Sequence, residues 1–184
     1  MVRRQGFTLI ELMITLAIIG LLGALIVPNF RTRTPRYERE EFVARLGAQV
    51  QAAWQHALIT RTLHKVVFDM KNRRVSIEYA RKVRGEKGKL EFEVLNNWHG
   101  VTPMHWGPQF KIKQFILEGF DEMARSTDRA TLEVFFYVVP DGLTQAVTIN
   151  VLDTKDMIGR KPRQFGLVLN PFTARFQYHD TFQK

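Results

Sequence analysis

The sequence predicts an α+β protein, in which a long N-terminal helix in two halves precedes an antiparallel β-sheet or sandwich. Three observations lead to this fold class. Residues 7–27 are apolar apart from one carboxylate, residues 37–63 carry apolar residues at helical spacing, and much of 64–184 alternates polar and apolar residues. These patterns are typical of a membrane-spanning helix, an amphipathic helix and strands with one buried face, respectively.

The composition limits the domain count and the disulfide chemistry. A chain of 184 residues fits one ordinary domain plus an anchor, and its net charge is +9. The absence of cysteine excludes disulfides. Because no later run matches the apolar character of residues 7–27, we expect the remainder to form a soluble domain on the far side of the membrane.

The apolar run from Phe7 to Val27 is the most informative stretch of the chain. Its roughly 21 residues would reach about 32 Å as a helix, which matches the roughly 30 Å hydrocarbon core of a bilayer. Arg3 and Arg4 precede it, and the positive-inside tendency places that end in the cytoplasm. A removed secretory signal is the alternative, but the run is longer than a signal core and lacks a small-x-small cleavage site.

Glu11 is the single charge in this run. A carboxylate inside a spanning helix costs on the order of 3 kcal/mol and usually marks a functional partner. No basic side chain lies between Phe7 and Val27, so the partner would be a cation on another chain. Since Glu11 lies near one end of the run, snorkelling to the membrane interface is the alternative.

A resemblance to type IV pilins and type II secretion pseudopilins is carried by the stretch Arg3-Arg4-Gln5-Gly6-Phe7-Thr8-Leu9-Ile10-Glu11-Leu12. The resemblance implies that a prepilin peptidase and methyltransferase cuts between Gly6 and Phe7 and N-methylates Phe7. It also implies that Glu11 meets the Phe7 amine of a neighbouring subunit during assembly. Pro28 falls where such proteins commonly carry a proline that kinks the helix.

The N-terminal third is divided on these grounds into four segments. We expect a cleaved leader at 1–6, a transmembrane and filament-core helix at 7–27, a juxtamembrane segment at 28–36 kinked by its two prolines, and an amphipathic helix at 37–63. Arg39 and Gln49 are assigned to the solvated face of that helix. The apolar stripe consists of Phe42, Leu46, Val50, Ala53, Ala57 and Leu58.

Residues 64–184 are predicted to form a β-rich domain. Alternation indicates strands near 65–70, 75–79, 90–94, 110–116, 132–138, 147–151, 165–169 and 172–178, with turns at 140–142 and 170–171. The charged stretch 118–129 is assigned to a loop or a short helix. A helix running directly into a strand, together with the closing hairpin, resembles the H-type minor pseudopilins. The basic 81–89 loop and the 96–130 stretch have no counterpart in that resemblance.

The sequence contains no recognisable catalytic constellation. It has no cysteine nucleophile, no Gly-x-Ser-x-Gly elbow and no phosphate-binding Gly-rich loop. We therefore expect neither an enzyme nor a cofactor. His56 is interpreted as an ordinary packed or surface residue, and the histidines as unsuited to a metal site. Asp153 and Asp156, beside Lys155, are expected to be solvated loop acids rather than calcium ligands.

Two basic clusters raise nucleic acid as an alternative partner. Phosphate backbones attract such clusters without sequence preference, and some type IV minor pilins that this chain resembles bind DNA during uptake. Solvated loops are the ordinary interpretation, and no aromatic residue interleaves either cluster, so stacking on single strands is not indicated. The clusters are Arg81, Lys82, Arg84, Lys87 and Lys89, and then Arg160, Lys161 and Arg163.

Taken together, the sequence is interpreted as a minor pseudopilin of a type II secretion pseudopilus. It would be a single-pass protein of the inner membrane, with a periplasmic C-terminal domain, and would be extracted into a periplasmic filament. The implied partners are the prepilin peptidase, other major and minor pseudopilins or pilins, membrane lipid and an inner-membrane assembly platform. The alternatives are a type IV minor pilin of pilus biogenesis or DNA uptake, and a signal-anchored periplasmic protein.

Overall fold

The computed structural model describes residues 8–26, 34–82, 90–98, 101–125 and 132–184. The chain divides into two compact units, residues 1–38 and residues 39–184. The first unit contains helix α1 (Leu9–Ile26) and the first residues of helix α2 (Pro35–Thr60). The second unit contains the rest of α2 and all of the described strands.

Helix α2 begins two residues before the predicted start. Thr34 caps it, since the N–H of Tyr37 donates to Thr34 Oγ1 at 3.4 Å and that of Glu38 donates to the Thr34 carbonyl at 3.2 Å. Pro35 takes the first helical position, where its missing N–H costs nothing. Pro35 therefore starts a helix rather than disturbing one, contrary to the prediction. Arg61, with a φ of 54°, adopts the left-handed conformation that ends α2.

The strands form two antiparallel sheets. They are β1 (His64–Asp69), β2 (Arg74–Lys82), β3 (Leu90–Val94), β4 (Met104–His105), β5 (Phe110–Leu117), β6 (Phe120–Asp121), β7 (Glu133–Val138), β8 (Val147–Ile158), β9 (Lys161–Asn170) and β10 (Arg175–His179). The first sheet has the order β3-β2-β1-β7 with β4 paired to β2, and the second has the order β10-β9-β8-β5-β6. The predicted class, a helix followed by antiparallel sheets, is confirmed.

Several element boundaries differ from the predicted ones. Strands β8 and β9 are much longer than expected and form one hairpin through the turn at Gly159 and Arg160. The stretch 118–129, predicted as a loop or short helix, contains the two-residue strand β6, which is too short to show alternation. Arg81 and Lys82 end β2 instead of opening a loop. Alternation failed to mark these extensions because each contains consecutive polar residues, at 81–82, 153–156 and 163–164.

The core lies where α2 meets the two sheets. Of the predicted stripe, Phe42, Leu46, Val50, Ala53 and Ala57 are buried, as expected, and Leu58 is half-buried. Phe42 stacks on Phe110 of β5 with ring centroids 4.7 Å apart, and its edge contacts Phe165 of β9. Phe68 of the first sheet contacts Phe115 of the second at 5.1 Å. A single apolar core therefore joins the helix to both sheets.

Truncation of Phe42 should destabilise the 34–184 segment, which contains this whole core. We expect Phe42→Ala to lower the free energy of unfolding by about 3–5 kcal/mol, because the cavity would lie between α2 and two strands. Urea denaturation followed by circular dichroism measures the change. Ile59→Ala is the matched control, since Ile59 is on the same helix but 71% exposed, and its effect should stay within about 0.5 kcal/mol. Equal effects of the two substitutions would contradict this packing.

Candidate functional site

The predicted assembly residue Glu11 lies in the first turn of α1. Its backbone N–H donates to Thr8 Oγ1 at 3.3 Å, and the N–H of Leu12 donates to the Thr8 carbonyl at 3.2 Å. Thr8 and Glu11 thus have the spacing of a capping box. A carboxylate in the first turn also interacts favourably with the helix dipole. The sequence argument gave Glu11 only an intermolecular role, although the Thr-x-x-Glu spacing already indicated this local one.

Helix α1 exposes apolar side chains on every side. Its large apolar residues from Leu9 to Leu22 are between 50% and 78% exposed. A helix that is apolar all round is stable only in apolar surroundings, such as lipid or other helices. Neither described helix, 9–26 or 35–60, combines the length and the hydropathy of a bilayer-crossing segment.

The three remaining predicted residues of the N-terminal segment lie outside the described residues. Gly6 and Phe7 precede the first of them, and Pro28 falls in the gap between α1 and α2. Their assigned roles in cleavage, methylation and kinking therefore stay predictions.

A buried ion-pair cluster lies at the start of the second unit. Arg39 Nη1 donates to Asp156 Oδ2 at 2.8 Å and to Asp153 Oδ2 at 3.3 Å, and Arg163 Nε donates to Asp156 Oδ2 at 2.7 Å. The hydrogen bonds from Arg39 and Arg163 lower the pKa of Asp156 below its ordinary value. The assignment of both acids to solvated loops and of Arg39 to a solvated face was therefore wrong, because both acids lie on strand β8, where Arg39 and Asp153 are buried and Asp156 is half-buried.

Polar residues of α2 hold three loops of the second unit. Gln49 Nε2 donates to the Thr102 carbonyl at 2.7 Å, and Gln51 Nε2 donates to the Ala174 carbonyl at 2.6 Å. Trp54 Nε1 donates to the Gly142 carbonyl at 2.6 Å. Gln49 is buried rather than solvated as predicted, since its amide satisfies a backbone carbonyl.

The structure describes two of the five residues of the predicted basic patch, Arg81 and Lys82. Arg81 is exposed and pairs with Glu93 Oε2 at 3.3 Å, while Glu91 lies opposite it on β3. Lys82 ends β2, and the remaining members, Arg84, Lys87 and Lys89, lie outside the described residues. In the part of the patch that is described, carboxylates therefore lie beside the guanidinium. Such neighbours weaken attraction to a phosphate backbone.

Two histidines form a hydrogen-bonded pair that sequence reasoning did not anticipate. His64 Nδ1 lies 2.9 Å from the Thr62 carbonyl, and His64 Nε2 lies 2.6 Å from His56 Nδ1. A carbonyl can only accept, so in a neutral pair His64 Nδ1 carries the proton and His56 Nδ1 donates to His64 Nε2. Burial lowers the pKa of both side chains. The pair joins the end of α2 to β1, which no local spacing could indicate.

A cavity of about 580 Å³ adjoins this pair, between the end of α2 and strands β2 and β3. Leu63 and Leu95 supply apolar wall, and Arg61 and Tyr79 supply polar groups. Among the residues that the structure describes, no three His, Asp or Glu side chains are grouped so that they could hold a metal ion.

Comparison with known proteins bears on the N-terminal segment first. Residues 1–27 match the family described as the prokaryotic N-terminal methylation motif. The chain carries a prepilin-type N-terminus. The resemblance of this segment to type IV pilins and type II secretion pseudopilins is thereby confirmed.

Relatives of the prepilin-type N-terminus come from both kinds of system. The chain is 50% identical over 46 residues to the type IV major pilin protein PilA of Myxococcus xanthus (strain DK1622), covering 25% of this chain and 21% of that protein. It is 40% identical over 48 residues to the type II secretion system core protein G of Klebsiella pneumoniae, covering 26% and 34%. A fimbrial protein of Pseudomonas aeruginosa is 44% identical over 50 residues, covering 27% and 32%. The chain thus spans a fifth to a third of the relatives' length.

The fold has a solved counterpart. The structure is similar to that of the minor pseudopilin EpsH from the type 2 secretion system of Vibrio cholerae, with a TM-score of 0.52. The likeness covers 77% of this chain and 94% of that one, at 12% sequence identity. At that identity the comparison shows a similarity of fold alone. Because it covers 77% of this chain, the similarity extends beyond residues 1–27, which match the family model.

The histidine pair should make stability fall in mild acid. Because burial lowers the pKa of His56 and His64 in the folded state, the unfolded chain takes up protons first. The free energy of unfolding should therefore be highest above about pH 6.5 and should decrease as the pH falls towards about 5. His56→Gln should reduce this slope in urea titrations across that range. His105→Gln, at an exposed position of β4, is the matched control and should keep the slope of the wild-type protein, and the same slope in all three proteins would refute the assignment.

Proposed function

We propose that the protein is a minor pseudopilin, a prepilin-like structural subunit of a type II secretion pseudopilus, and that it is not an enzyme. The observation that carries the proposal is a prepilin-type N-terminus continued by a helix whose apolar side chains are exposed on every side. Such a helix needs other apolar surfaces around it, which a filament core of like helices provides. The EpsH-like fold of the chain supports a pseudopilin in particular.

In this proposal, processing comes before assembly. The peptidase cuts after Gly6, where a residue without a side chain leaves the backbone accessible, and methylates the new amine of Phe7. The residues 7–27 hold the precursor in the inner membrane, with the leader in the cytoplasm and residues 39–184 in the periplasm. Release of the leader removes Arg3 and Arg4 and creates a free amine on Phe7.

Assembly then transfers the apolar helix from lipid to protein. The apolar surface of α1, exposed in the single chain, becomes buried among the helices of neighbouring subunits, with the aid of an inner-membrane assembly platform. Glu11 pairs with the Phe7 amine of a neighbour and so fixes the axial position of one helix against the next. The capping contact from Thr8 holds the first turn of α1 in helical form, which keeps the carboxylate at a defined height.

A type IV minor pilin is the second candidate, since the type IV pilin PilA matches the same N-terminal segment. DNA uptake through the basic patch is less well supported, because Arg81 pairs with Glu93 in the described part of the patch. The EpsH-like fold favours the secretion pseudopilus.

Processing should depend on Gly6. We expect Gly6→Val to leave full-length precursor in the membrane, because a branched side chain at the cleaved bond would obstruct the peptidase. Mass spectrometry of the N-terminus measures the outcome. Gln5→Ala, one residue away, should still mature to Phe7. A Gly6→Val protein that begins at Phe7 would disprove the peptidase assignment.

Assembly should depend on Glu11. Glu11→Gln should preserve insertion and cleavage, because a neutral amide is cheaper to bury than a carboxylate. It should reduce cross-linking to filament partners in membranes by on the order of tenfold, since the neighbour's amine loses its counter-charge. Glu38→Gln is the matched control, a carboxylate in the first turn of α2, and should cross-link normally. Undiminished cross-linking of Glu11→Gln would mean that Glu11 only snorkels.

A further inference from the structure

The tip of the β8–β9 hairpin, residues 157–162, combines exposed apolar and basic side chains. Met157 and Ile158 are 50% and 58% exposed. Neighbouring residues of a strand face opposite sides, so the pair gives both faces of the tip an apolar surface. Arg160 and Lys161 follow after Gly159 and are also exposed. The structure shows neither of them in an ion pair with any residue that it describes.

The stem of this tip is firmly held. The residues 154–156 stand between the paired positions Asp153 and Met157, so that β8 bulges there. Asp153 Oδ1 accepts the backbone N–H of Lys155 at 3.0 Å, and the Thr154 N–H donates to the Gln109 carbonyl at 2.9 Å. Arg39 adds its ion pairs to Asp153 and Asp156. A braced stem loses little conformational entropy when its tip binds a surface.

The hairpin also has a defined direction within the second unit. The connection that leads into β8 lies beside the C-terminal part of α2, where Trp54 binds the Gly142 carbonyl, and β8 reaches Arg39 at Asp153. Strand β8 therefore runs along α2 in the opposite direction, and its last residues continue past Arg39 by up to about 17 Å. The tip lies at the end of the unit where the chain enters from residue 38.

We propose that this tip docks on the surface of an anionic phospholipid bilayer, with Met157 and Ile158 in the headgroup boundary and Arg160 and Lys161 on lipid phosphates. The inference rests on the membrane anchoring proposed above. Roughly 12 residues separate Val27 from Arg39, and they span at most about 40 Å, so the unit is tethered close to the bilayer.

The chemistry of the tip selects lipid over nucleic acid. Cations alone would suit either phosphate source, but an exposed aliphatic pair ahead of two cations matches an interface that is apolar below and anionic above. Nucleic acid would leave Met157 and Ile158 in water. The docked tip would hold the second unit against the membrane until the subunit is extracted.

Because the chain has no cysteine, a single label reports on the tip. Full-length Ile158→Cys carries an environment-sensitive fluorophore and is reconstituted in nanodiscs of phosphatidylglycerol or of phosphatidylcholine. We expect a blue shift, and quenching by spin-labelled lipid, in phosphatidylglycerol. Phe172→Cys is the matched control. It is 73% exposed in the turn at the opposite end of the same sheet, and its label should not respond.

Charge reversal tests the role of the cations. Arg160→Glu with Lys161→Glu should lower the ratio of lipid-bound to free tip by at least roughly 30-fold, because each basic charge lost at an anionic surface costs a factor of about five and the two new carboxylates are repelled in addition. Both side chains are exposed, so we expect the double variant to keep its fold, and circular dichroism checks this.

Each other outcome overturns the inference in a distinguishable way. A chain that stays in the nanodisc while the label at 158 shows no shift disproves the lipid contact and leaves the anchor intact. A shift that requires two chains per disc, whatever the lipid, identifies a second copy as the partner instead. A chain that does not remain with the nanodiscs disproves the anchor and the lipid contact together.

Discussion

Burial of one face of α2 against both sheets is the contact on which residues 39–184 depend. Phe42 packs on the second sheet, where it contacts Phe110 of β5 and Phe165 of β9. The first sheet reaches the same core through Phe68, which contacts Phe115 of the second sheet. Each partner in this three-way packing excludes water from the other two, so the apolar burial of the unit is cooperative.

The two helices obtain their stability from different sources. Helix α2 has one apolar face and finds its partner within its own unit. Helix α1 has apolar residues on all sides and leaves them exposed. Helix α2 is therefore part of the folded unit 39–184, whereas helix α1 becomes stable only in apolar surroundings such as lipid or other helices. Under the proposed function, this difference lets the same chain be stored in a membrane and then be incorporated in a filament without unfolding residues 39–184.

Local patterns predicted much of the fold and of the candidate site. The spacing of Phe42, Leu46 and Val50 identified the buried face of α2, and the prepilin motif predicted the family match of residues 1–27. The roles of Gly6, Phe7 and Glu11 within that motif stay predictions. What the sequence could not reveal depends on long-range partners. From the sequence alone, Arg39 is assigned to the surface, because its partner Asp153 lies 114 positions later in the chain. His56 and His64 likewise pair across the end of a helix. Their burial is a property of the tertiary structure alone.

The contacts of α2 with the carbonyls of Thr102, Gly142 and Ala174 have a consequence for how this fold varies in length. They occur at fixed intervals along the helix, and Gly142, at a φ of 80°, leaves room for Trp54 only because it lacks a side chain. One residue inserted in α2 would rotate all that precedes it by about 100° and shift it by about 1.5 Å. A change in the length of α2 would therefore break the contacts on one side of the inserted or deleted residue, so these three carbonyls fix the length of the helix between Gln49 and Trp54.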